Sequence, residues 1–496
     1  MLHKIDGVWL GFGVFGLAKI NRSGIKTHTS LRATALIVCT LAALAVPDAY
    51  AGPANRNAAT QSNSPINLDG FGTPLPAIAK SGPDFAAFAG GQLNFKQTVT
   101  VPELGPLFNG TSCAGCHSQP AIGGSSLLIN EIRVRNDPDS SSVKIFAVDN
   151  MLRSGPQLQD TMQIFRSGIP AEPLGCQITA SGCQLSACQQ EEISRTSFNT
   201  DLPTCDPTSA NFGNGENCVS GRTALPLFGG GLVEAVADDT LIQLAQSEPP
   251  SVQGVVKMVT ENFLQAPHAG RFGWKDDHAF LRGFAGDAYL NEMGISNPDN
   301  PANTSNCAVG VTQFGITLEN SSLEDRPGAD GRADIDRFAD FMRALAEPPT
   351  IPQGSSASRG MALFSQLNCT GCHAPTLRTS PNPASFVPPS TGGTPISSAV
   401  NKALAKRTFH PYSDFLLHDM GSLGDGITSG SAGPTMMRTP PLWGIRAKSV
   451  FLHDGRATDI PTAISLHDGQ GKAAAQAFRA LSASQQADLV NFLDSL

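Results

Sequence analysis

The chain has few charged residues, few aromatic residues and no long apolar run. Of its 496 residues, 15% are charged and 6% aromatic, with three tryptophans and three tyrosines. Acidic residues (42) outnumber lysine and arginine (34), which gives a net charge of -8 and excludes a protein that coats nucleic acid. No apolar run reaches the ~20 residues that a membrane-spanning helix needs. The sequence therefore excludes an integral membrane bundle.

Glycine, proline and cysteine are abundant instead. The chain has 50 glycines, 36 prolines and 11 cysteines, and 40% of it is hydrophobic. This composition indicates a folded, loop-rich protein with a sizeable core, not a disordered chain. The cysteines need a specific explanation.

The first fifty residues resemble a targeting segment. An apolar stretch at 33–47 follows Arg32 and precedes the small-x-small sequence Ala49-Tyr50-Ala51. This pattern predicts a secretory signal peptide over 1–51, and hence a periplasmic or secreted protein. After cleavage we expect the chain not to be integral to the membrane. The alternative is an N-terminal membrane anchor.

Two C-x-x-C-H motifs are the most specific feature. They comprise Cys113, Cys116 and His117, and Cys369, Cys372 and His373. Two thiols at this spacing can form thioethers to the two vinyl groups of a haem, and the next residue then offers its imidazole to the iron. We therefore expect two covalently bound haem c groups, with His117 and His373 as proximal iron ligands. A thioredoxin-like pair or half a zinc site is the rival, and the histidine at both motifs argues against it.

Six other cysteines have a different distribution. They are Cys176, Cys183, Cys188, Cys205, Cys218 and Cys307. In an exported protein they predict up to three disulfides that staple a loop-rich insertion at about 125–260. The pairing stays open, and a catalytic thiol pair is the alternative.

Helical patterns surround both motifs. Leu363, Phe364 and Leu367 predict an amphipathic helix that leads into the second motif, and Gly105–Phe108 is a weaker equivalent before the first. Closing helices are predicted from the apolar spacing of Ile335, Phe338, Phe341, Met342 and Leu345, and of Leu489, Phe492, Leu493 and Leu496. Ser482 and Gln485 form a capping box before the last helix.

These elements predict a mainly α fold with two cytochrome c-like domains. The first domain spans 52–350 and carries the disulfide-stapled insertion, and the second spans 351–496. Residues 351–358 (IPQGSSAS) are interpreted as a linker.

Four segments resemble a known family. They are GPLFNGTSCAGCHSQPAIGG (105–124), GRFGWKDDHAFLRGFAGDAYLNEMGIS (270–296), YSDFLLHDMG (412–421) and RTPPLWGIRAKSVFLHDGRA (438–457). The chain is identified as a member of the di-haem oxidoreductase family, also labelled thiol oxidoreductases, within the di-haem cytochrome c peroxidase superfamily. The resemblance implies one reactive haem, one electron-transfer haem, small redox proteins as partners and hydrogen peroxide as a substrate.

The resemblance also suggests a second ligand for the second haem. In the resembled peroxidases a methionine follows the HDG turn by 14 residues, and here His467 stands at that offset from His453. We expect His373 and His467 to ligate this haem together, with Met420 as the alternative. A structural role for His467 is the other interpretation.

For the first haem the resemblance points to Trp274 and Glu292. In the resembled peroxidases a tryptophan lies between the haems, and a glutamate before methionine acts as acid–base over the reactive iron. A core tryptophan and a solvated or capping carboxylate are the structural interpretations. His268 and His278 are further candidates for a removable ligand of this haem.

Charged residues suggest auxiliary sites. Arg438 and Arg446 are candidates for pairing with haem propionates, because guanidinium matches carboxylate geometry. Carboxylates in the stretch 330–336 have calcium-like spacing, although an acidic helix N-terminus explains them equally.

The sequence thus predicts a peroxidase-like di-haem oxidoreductase. Two alternatives stay open. One is a di-haem electron carrier without a small-molecule substrate, and the other is a MauG-like oxidase of a protein partner.

Overall fold

The computed structural model describes the following residues: 68–78, 81–99, 110–127, 129–135, 159–162, 177–179, 182–184, 204–208, 218–293, 295–300, 311–313, 316–318 and 325–496. The predicted signal peptide, the segment 105–108 and Cys176, Cys188 and Cys307 lie outside these ranges. Within the described ranges, none of the helices combines the length and the apolar character that a membrane span requires.

Helices dominate the regular structure. In chain order they are α1 Pro83–Lys96, α2 Cys113–Cys116, α3 Gly230–Glu234, α4 Asp238–Ser247, α5 Leu281–Met293, α6 Asp334–Ala344, α7 Ser355–Gln366, α8 Ser398–Leu404, α9 Ile460–Ser465, α10 Lys472–Arg479 and α11 Ala483–Asp494. The described part is therefore helix-rich with some sheet.

The strands are short and form small antiparallel sheets. They are β1 Ile129–Arg135, β2 Gln159–Met162, β3 Gln177–Thr179, β4 Gly182–Gln184, β5 Cys218–Thr223, β6 Met258–Val259, β7 His268–Ala269, β8 Val311–Gln313, β9 Ile316–Leu318, β10 Leu377–Arg378, β11 Thr408–Phe409, β12 Leu417–Asp419 and β13 Met436–Arg438. One sheet has the order β2-β1-β5, and the others are two-stranded pairs of consecutive strands.

The last part of the chain, residues 351–496 and here called the second unit, contains the two helices that its apolar spacing predicts. Helix α7 leads into the second motif and packs on α11, with Phe364 and Phe492 5.3 Å apart between ring centroids. The capping box is confirmed, because Ser482 accepts from the Gln485 amide and the Gln485 side chain accepts from the Ser482 amide. The linker prediction is wrong in its second half. Helix α7 already begins at Ser355, where the Ser356 hydroxyl donates to Asp488 of the partner helix.

The preceding part of the chain, residues 68–350 and here called the first unit, has a similar helix pair. Helix α6 is the predicted closing helix, and α1 packs on it. The predicted helix at Gly105–Phe108 lies outside the described residues. Pro83 at the first turn starts α1, and Phe95 near its end contacts Phe338 and Phe341 of α6. The signal in the sequence is a Gly-x-x-x-Phe repeat, Gly91 to Phe95 and Gly360 to Phe364.

Two large apolar clusters are formed around these helix pairs. The first combines residues of α1, α5 and α6 with Phe409, Phe415 and Trp443 from the second half of the chain. The second lies among α7, α9, α10 and α11. The halves of the sequence therefore share a core on one side, while the second motif keeps an apolar cluster of its own.

The insertion is stapled by a disulfide between Cys205 and Cys218. It joins the loop at 204–208 to the start of β5, and both cysteines form a small buried cluster with Ile427. One of the up to three predicted disulfides is thus located.

Candidate haem sites

Both C-x-x-C-H motifs fold into a single helical turn. The first turn is α2, capped by the Ser112 side chain, and the second is a tighter turn over Cys369–Gly371. The histidine amide donates to the carbonyl of the first cysteine in each motif, at 3.0 Å for His117 and 2.9 Å for His373. None of the four cysteines is in a disulfide. The thiols therefore remain available for thioethers.

The rings of the two motif histidines make the same kind of hydrogen bond. His117 Nδ1 donates to the Gly124 carbonyl at 3.1 Å, and His373 Nδ1 donates to the Tyr412 carbonyl at 2.9 Å. A carbonyl can only accept, so each Nδ1 carries the proton and Nε2 keeps its lone pair. Burial lowers the pKa of both rings, that of His373 to about 4 with a contribution from His467. Both are therefore neutral imidazoles, the form that binds a metal.

A large cavity opens beside the second motif. Its volume is about 490 Å³, within the ~300–1,000 Å³ typical of cofactor pockets. Cys369, Cys372 and His373 line it together with apolar side chains such as Phe364 and Leu489. Two thiols, a neutral imidazole and an apolar volume of this size fit a covalently attached haem.

Both predicted second ligands lie on the wall of this cavity. His467 Nδ1 donates to the Ala463 carbonyl at 2.8 Å, which leaves its Nε2 free to bind a metal, and burial lowers its pKa. Met420 lines the same cavity, and both side chains approach Gly471. The structure thus brings His373, His467 and Met420 together, with His467 in the same hydrogen-bonding state as the proximal histidines.

Trp274, from the first unit, lies on the wall of this cavity. Its indole Nε1 donates to the Thr223 carbonyl at 2.9 Å, and its ring meets His453 edge-on at 6.2 Å. Both Trp274 and His453 line the cavity. Burial lowers the pKa of His453 to about 4, so this ring is neutral too.

Trp274 also packs in a small apolar cluster with Leu225 and Met437. The Leu225 backbone partly opposes the effect of burial on the pKa of His117. Leu225 therefore lies close to both Trp274 and the ring of His117.

Glu292 lies in the last turn of α5, close to the first motif in space. Its carbonyl accepts from the Gly110 amide at 3.1 Å, three residues before Cys113, and its side chain is half-buried. The helix thus holds Glu292 beside the segment that leads into the first motif.

The structure uses His268 and His278 for other contacts. His268 Nδ1 lies 2.8 Å from Asp238, and the His278 nitrogens lie 3.3 and 3.4 Å from Glu261 and Asp287. Burial alone would lower the pKa of His278, but the two carboxylates raise it to about 10. These contacts favour structural roles and not a removable iron ligand.

A buried cluster that sequence reasoning missed surrounds the second motif. His418 lies with Nδ1 3.4 Å from Cys372 Sγ and Nε2 2.9 Å from Asp414 Oδ2. Burial would lower the pKa of His418, but Asp414 and Cys372 raise it to about 11. Among the described residues, this trio is the one group whose ligand atoms converge as a metal site would require. Haem attachment at Cys372 would compete with such a metal.

The predicted auxiliary sites have different outcomes. Arg438 lines the second cavity, whereas Arg446 donates to the Leu496 and Pro349 carbonyls and stacks on Phe71. In the 330–336 stretch, Asp330 pairs with Arg337, and Asp336 accepts from backbone amides. These carboxylates have protein partners, so the calcium prediction gains no site among the described residues.

Comparisons with known proteins agree with this chemistry. The model of the family "Di-haem oxidoreductase, putative peroxidase" matches residues 204–496, which include the second motif and leave out the first. The comparison with curated proteins gives no match.

Solved structures show only a weak likeness. Hydrazine synthase from Kuenenia stuttgartiensis is 13% identical with a TM-score of 0.35, over 88% of this chain and 96% of that one. The diheme peroxidase BthA from Burkholderia thailandensis is 15% identical with a TM-score of 0.27, over 47% and 67%. A MauG-like protein associated with microbial copper homeostasis is 13% identical with a TM-score of 0.25, over 60% and 95%. Likeness at this level establishes neither a shared fold nor a shared activity.

Proposed function

Because the chain belongs to the di-haem oxidoreductase family, we propose that it is an exported c-type oxidoreductase of the peroxidase kind. The haem at His117 is the reaction site and the haem at His373 is the electron-transfer site. The signal peptide over 1–51 directs it to the periplasm or outside the cell. Small redox proteins exchange electrons with it, and hydrogen peroxide is the substrate.

One observation carries this proposal: His467 and Met420 line the second-site cavity together with His373. A haem with two strong protein ligands transfers electrons, while one with an open position binds and reduces peroxide. The second site therefore has the residues of an electron-transfer site. In the first unit, His268 and His278 are held by carboxylates, which supports a reaction site there.

Glu292 is the proposed acid–base residue. A carboxyl group beside the substrate can take a proton from one peroxide oxygen and return it to the other, so that water leaves. The hydrogen bond from Gly110 to the Glu292 carbonyl holds the end of α5 beside the first motif, which supports this role.

Trp274 is the proposed connection between the two sites. Its hydrogen bond to Thr223 and its packing on Leu225 and His453 hold the ring in a single orientation. The packing of Trp274 on Leu225, which lies close to His117, supports this role.

The same second-site ligands would suit a di-haem electron carrier, so that alternative needs a direct test. The test is peroxide turnover by one-electron-reduced holoprotein, compared for the wild type, Glu292→Gln and Glu347→Gln. Glu347 is also half-buried in the first half of the chain, where it pairs with Arg407 at 3.6 Å, and serves as the matched control.

We expect Glu292→Gln to lose about 10²–10⁴-fold in turnover at full haem content, the usual contribution of a positioned acid–base group. Glu347→Gln should retain the wild-type rate. Equal turnover in all three proteins would remove Glu292 from the mechanism. No turnover in the wild type would favour the electron carrier or a MauG-like oxidase of a protein partner.

A further inference from the structure

A buried arginine on the wall of the second-site cavity has no strong carboxylate partner. Arg438 ends β13, lines the cavity and is 5% exposed. Its Nε donates to the Gly273 carbonyl at 2.6 Å, and its Nη1 makes a long contact of 3.5 Å to the Thr439 carbonyl. The nearest carboxylate is Asp276, whose Oδ1 lies 3.6 Å from Nε without forming a hydrogen bond. Most of the guanidinium's hydrogen-bonding capacity therefore remains for a group in the cavity.

Asp276 is unusual in both its backbone and its side chain. It adopts a left-handed φ of 52°, is fully buried, and forms no hydrogen bond through either carboxylate oxygen. A non-glycine residue in this conformation is strained, and such strain collects at functional sites. An ionised carboxylate without donors in a dry interior is strongly disfavoured.

The other charged groups around Asp276 are already paired. Three pairs face it: Lys257 with Asp277, Arg271 with Asp238, and Asp414 with His418. Burial raises the pKa of Asp276 well above its usual range, and Arg438 and Lys257 oppose this effect only in part. Geometry and surroundings thus agree that Asp276 is a poor counter-ion for Arg438.

We propose that Asp276 is a positioning residue of the second haem site that keeps its proton, so that Arg438 directs its full charge into the cavity and pairs with a haem carboxylate. This inference rests on the proposed function, because it requires the second haem in this cavity. Arginine stays protonated in proteins. The protonation state of Asp276 therefore decides whether a neighbouring carboxylate neutralises the charge of Arg438.

The charges of Arg438 and Asp276 should affect the reduction potential of the second haem. A positive charge near the haem favours the reduced iron, which carries less positive charge, so Arg438 raises the potential. An ionised Asp276 would cancel part of this effect and lower the potential. Ionisation of Asp276 at alkaline pH should therefore make the potential fall.

The experiment uses full-length holoprotein and the variants Asp276→Asn, Arg438→Lys and Arg438→Gln. The potential of the second haem is measured by spectroelectrochemistry as a function of pH. Infrared difference spectra, recorded in water and in heavy water, detect a protonated carboxyl group. Haem content at Cys369 and Cys372 is measured by peptide mass.

Asparagine mimics a protonated aspartate, so Asp276→Asn should keep the neutral-pH potential, lose the carboxyl band and lose the alkaline fall in potential. Arg438→Gln should reduce the equilibrium constant for haem reduction at least tenfold, about 59 mV for a one-electron couple. Arg438→Lys keeps the charge and should retain most of the potential.

A higher neutral-pH potential in Asp276→Asn would show an ionised Asp276 and overturn the inference, as would a wild type without the carboxyl band. An unchanged potential in fully loaded Arg438→Gln would also overturn it. If Arg438→Gln does not fold, the Asp276→Asn result still decides. A wild type without haem on the Cys369–Cys372 peptide would overturn the proposed function itself, a failure that mass alone distinguishes.

Discussion

The two units place a phenylalanine from the leading helix beside the proximal histidine in nearly the same geometry. The ring centroids of Phe95 and His117 are 6.1 Å apart at 58°, and those of Phe364 and His373 are 6.2 Å apart at 57°. In both units a glycine four residues earlier lets the leading helix approach the closing helix. The frame on the proximal side is therefore duplicated.

The units differ in the additional histidines that could bind iron. The second cavity has His467 on its wall with Nδ1 bound to a carbonyl, while His278 in the first unit lies between two carboxylates. An imidazole held by a carbonyl stays neutral and can bind iron, whereas one held by two acids stays protonated and cannot. The same residue type is thus held in a neutral state that suits a ligand in one unit, and as a buried cation in the other. Four predictions test this contrast.

Removal of His467 should have the largest effect. His467→Ala should change the second haem from low-spin to high-spin, because the sixth ligand is lost. Met420→Leu serves as the matched control, since it lines the same cavity, and should leave the low-spin spectrum unchanged. Absorption and electron paramagnetic resonance (EPR) spectra of the ferric proteins measure the change. The reverse pattern would make Met420 the ligand.

Trp274→Phe should slow electron transfer between the two haems and leave both units folded. The variant keeps an apolar ring but loses the hydrogen bond to Thr223, at a cost of ~1 kcal/mol in unfolding free energy. Electron transfer between the haems, followed by stopped-flow reduction, should slow. Trp443→Phe is the control, because this buried tryptophan forms no indole hydrogen bond within the described residues. Equal rates in the two variants would exclude Trp274 from the path.

Glycine substitutions test the duplicated frame. A Cβ at Gly360 would lie 2.0 Å from the Asp488 carbonyl oxygen, and one at Gly91 would lie 2.5 Å from that of Arg337. Gly360→Ala and Gly91→Ala should each lower the free energy of unfolding, measured by thermal denaturation, by ~1–3 kcal/mol, with the larger loss at Gly360. Gly90→Ala, where a Cβ meets open space, should stabilise α1 by up to ~1 kcal/mol. If all three variants were destabilised, a clash between the packed helices would not explain the losses at Gly360 and Gly91.

The last prediction concerns only the pH dependence of stability and the buried cation of the first unit, His278. The folded-state pKa of His278 is raised from 6.5 to about 10, so its contribution to stability is complete below pH 6.5 and is lost as pH rises to 10. The slope is at most about 1.4 kcal/mol per pH unit. His278→Gln should flatten the dependence of Tm on pH in this window. An unaltered profile would show that His278 is neutral in the folded protein.

Local patterns predicted much of this structure. The capping box located the last helix, and the motif spacing singled out two histidines whose rings the structure holds by the same hydrogen bond to a carbonyl. The offset from His453 led to His467 through the family resemblance, and the structure places that residue on the cavity wall. These features depend on residues close together in the sequence.

Features that depend on distant residues escaped prediction. Helix α1 is absent from the sequence-based predictions, because the Gly-x-x-x-Phe repeat at Gly91 lies much farther from its motif than the one at Gly360 does. The proximity of Arg438 to Asp276, and the contacts of His418 with Asp414 and Cys372, arise only when separate segments meet. No periodicity in the sequence marks such contacts.

The central claim is that one haem can open a coordination position while the other keeps two protein ligands. Low-temperature EPR on mature holoprotein, fully oxidised and after one-electron reduction, tests it most directly. We expect a low-spin ferric signal from the His373 and His467 site, and a high-spin signal from the His117 site in at least one of the two states. Two low-spin sites, with no high-spin signal in either state, would contradict it and favour an electron carrier.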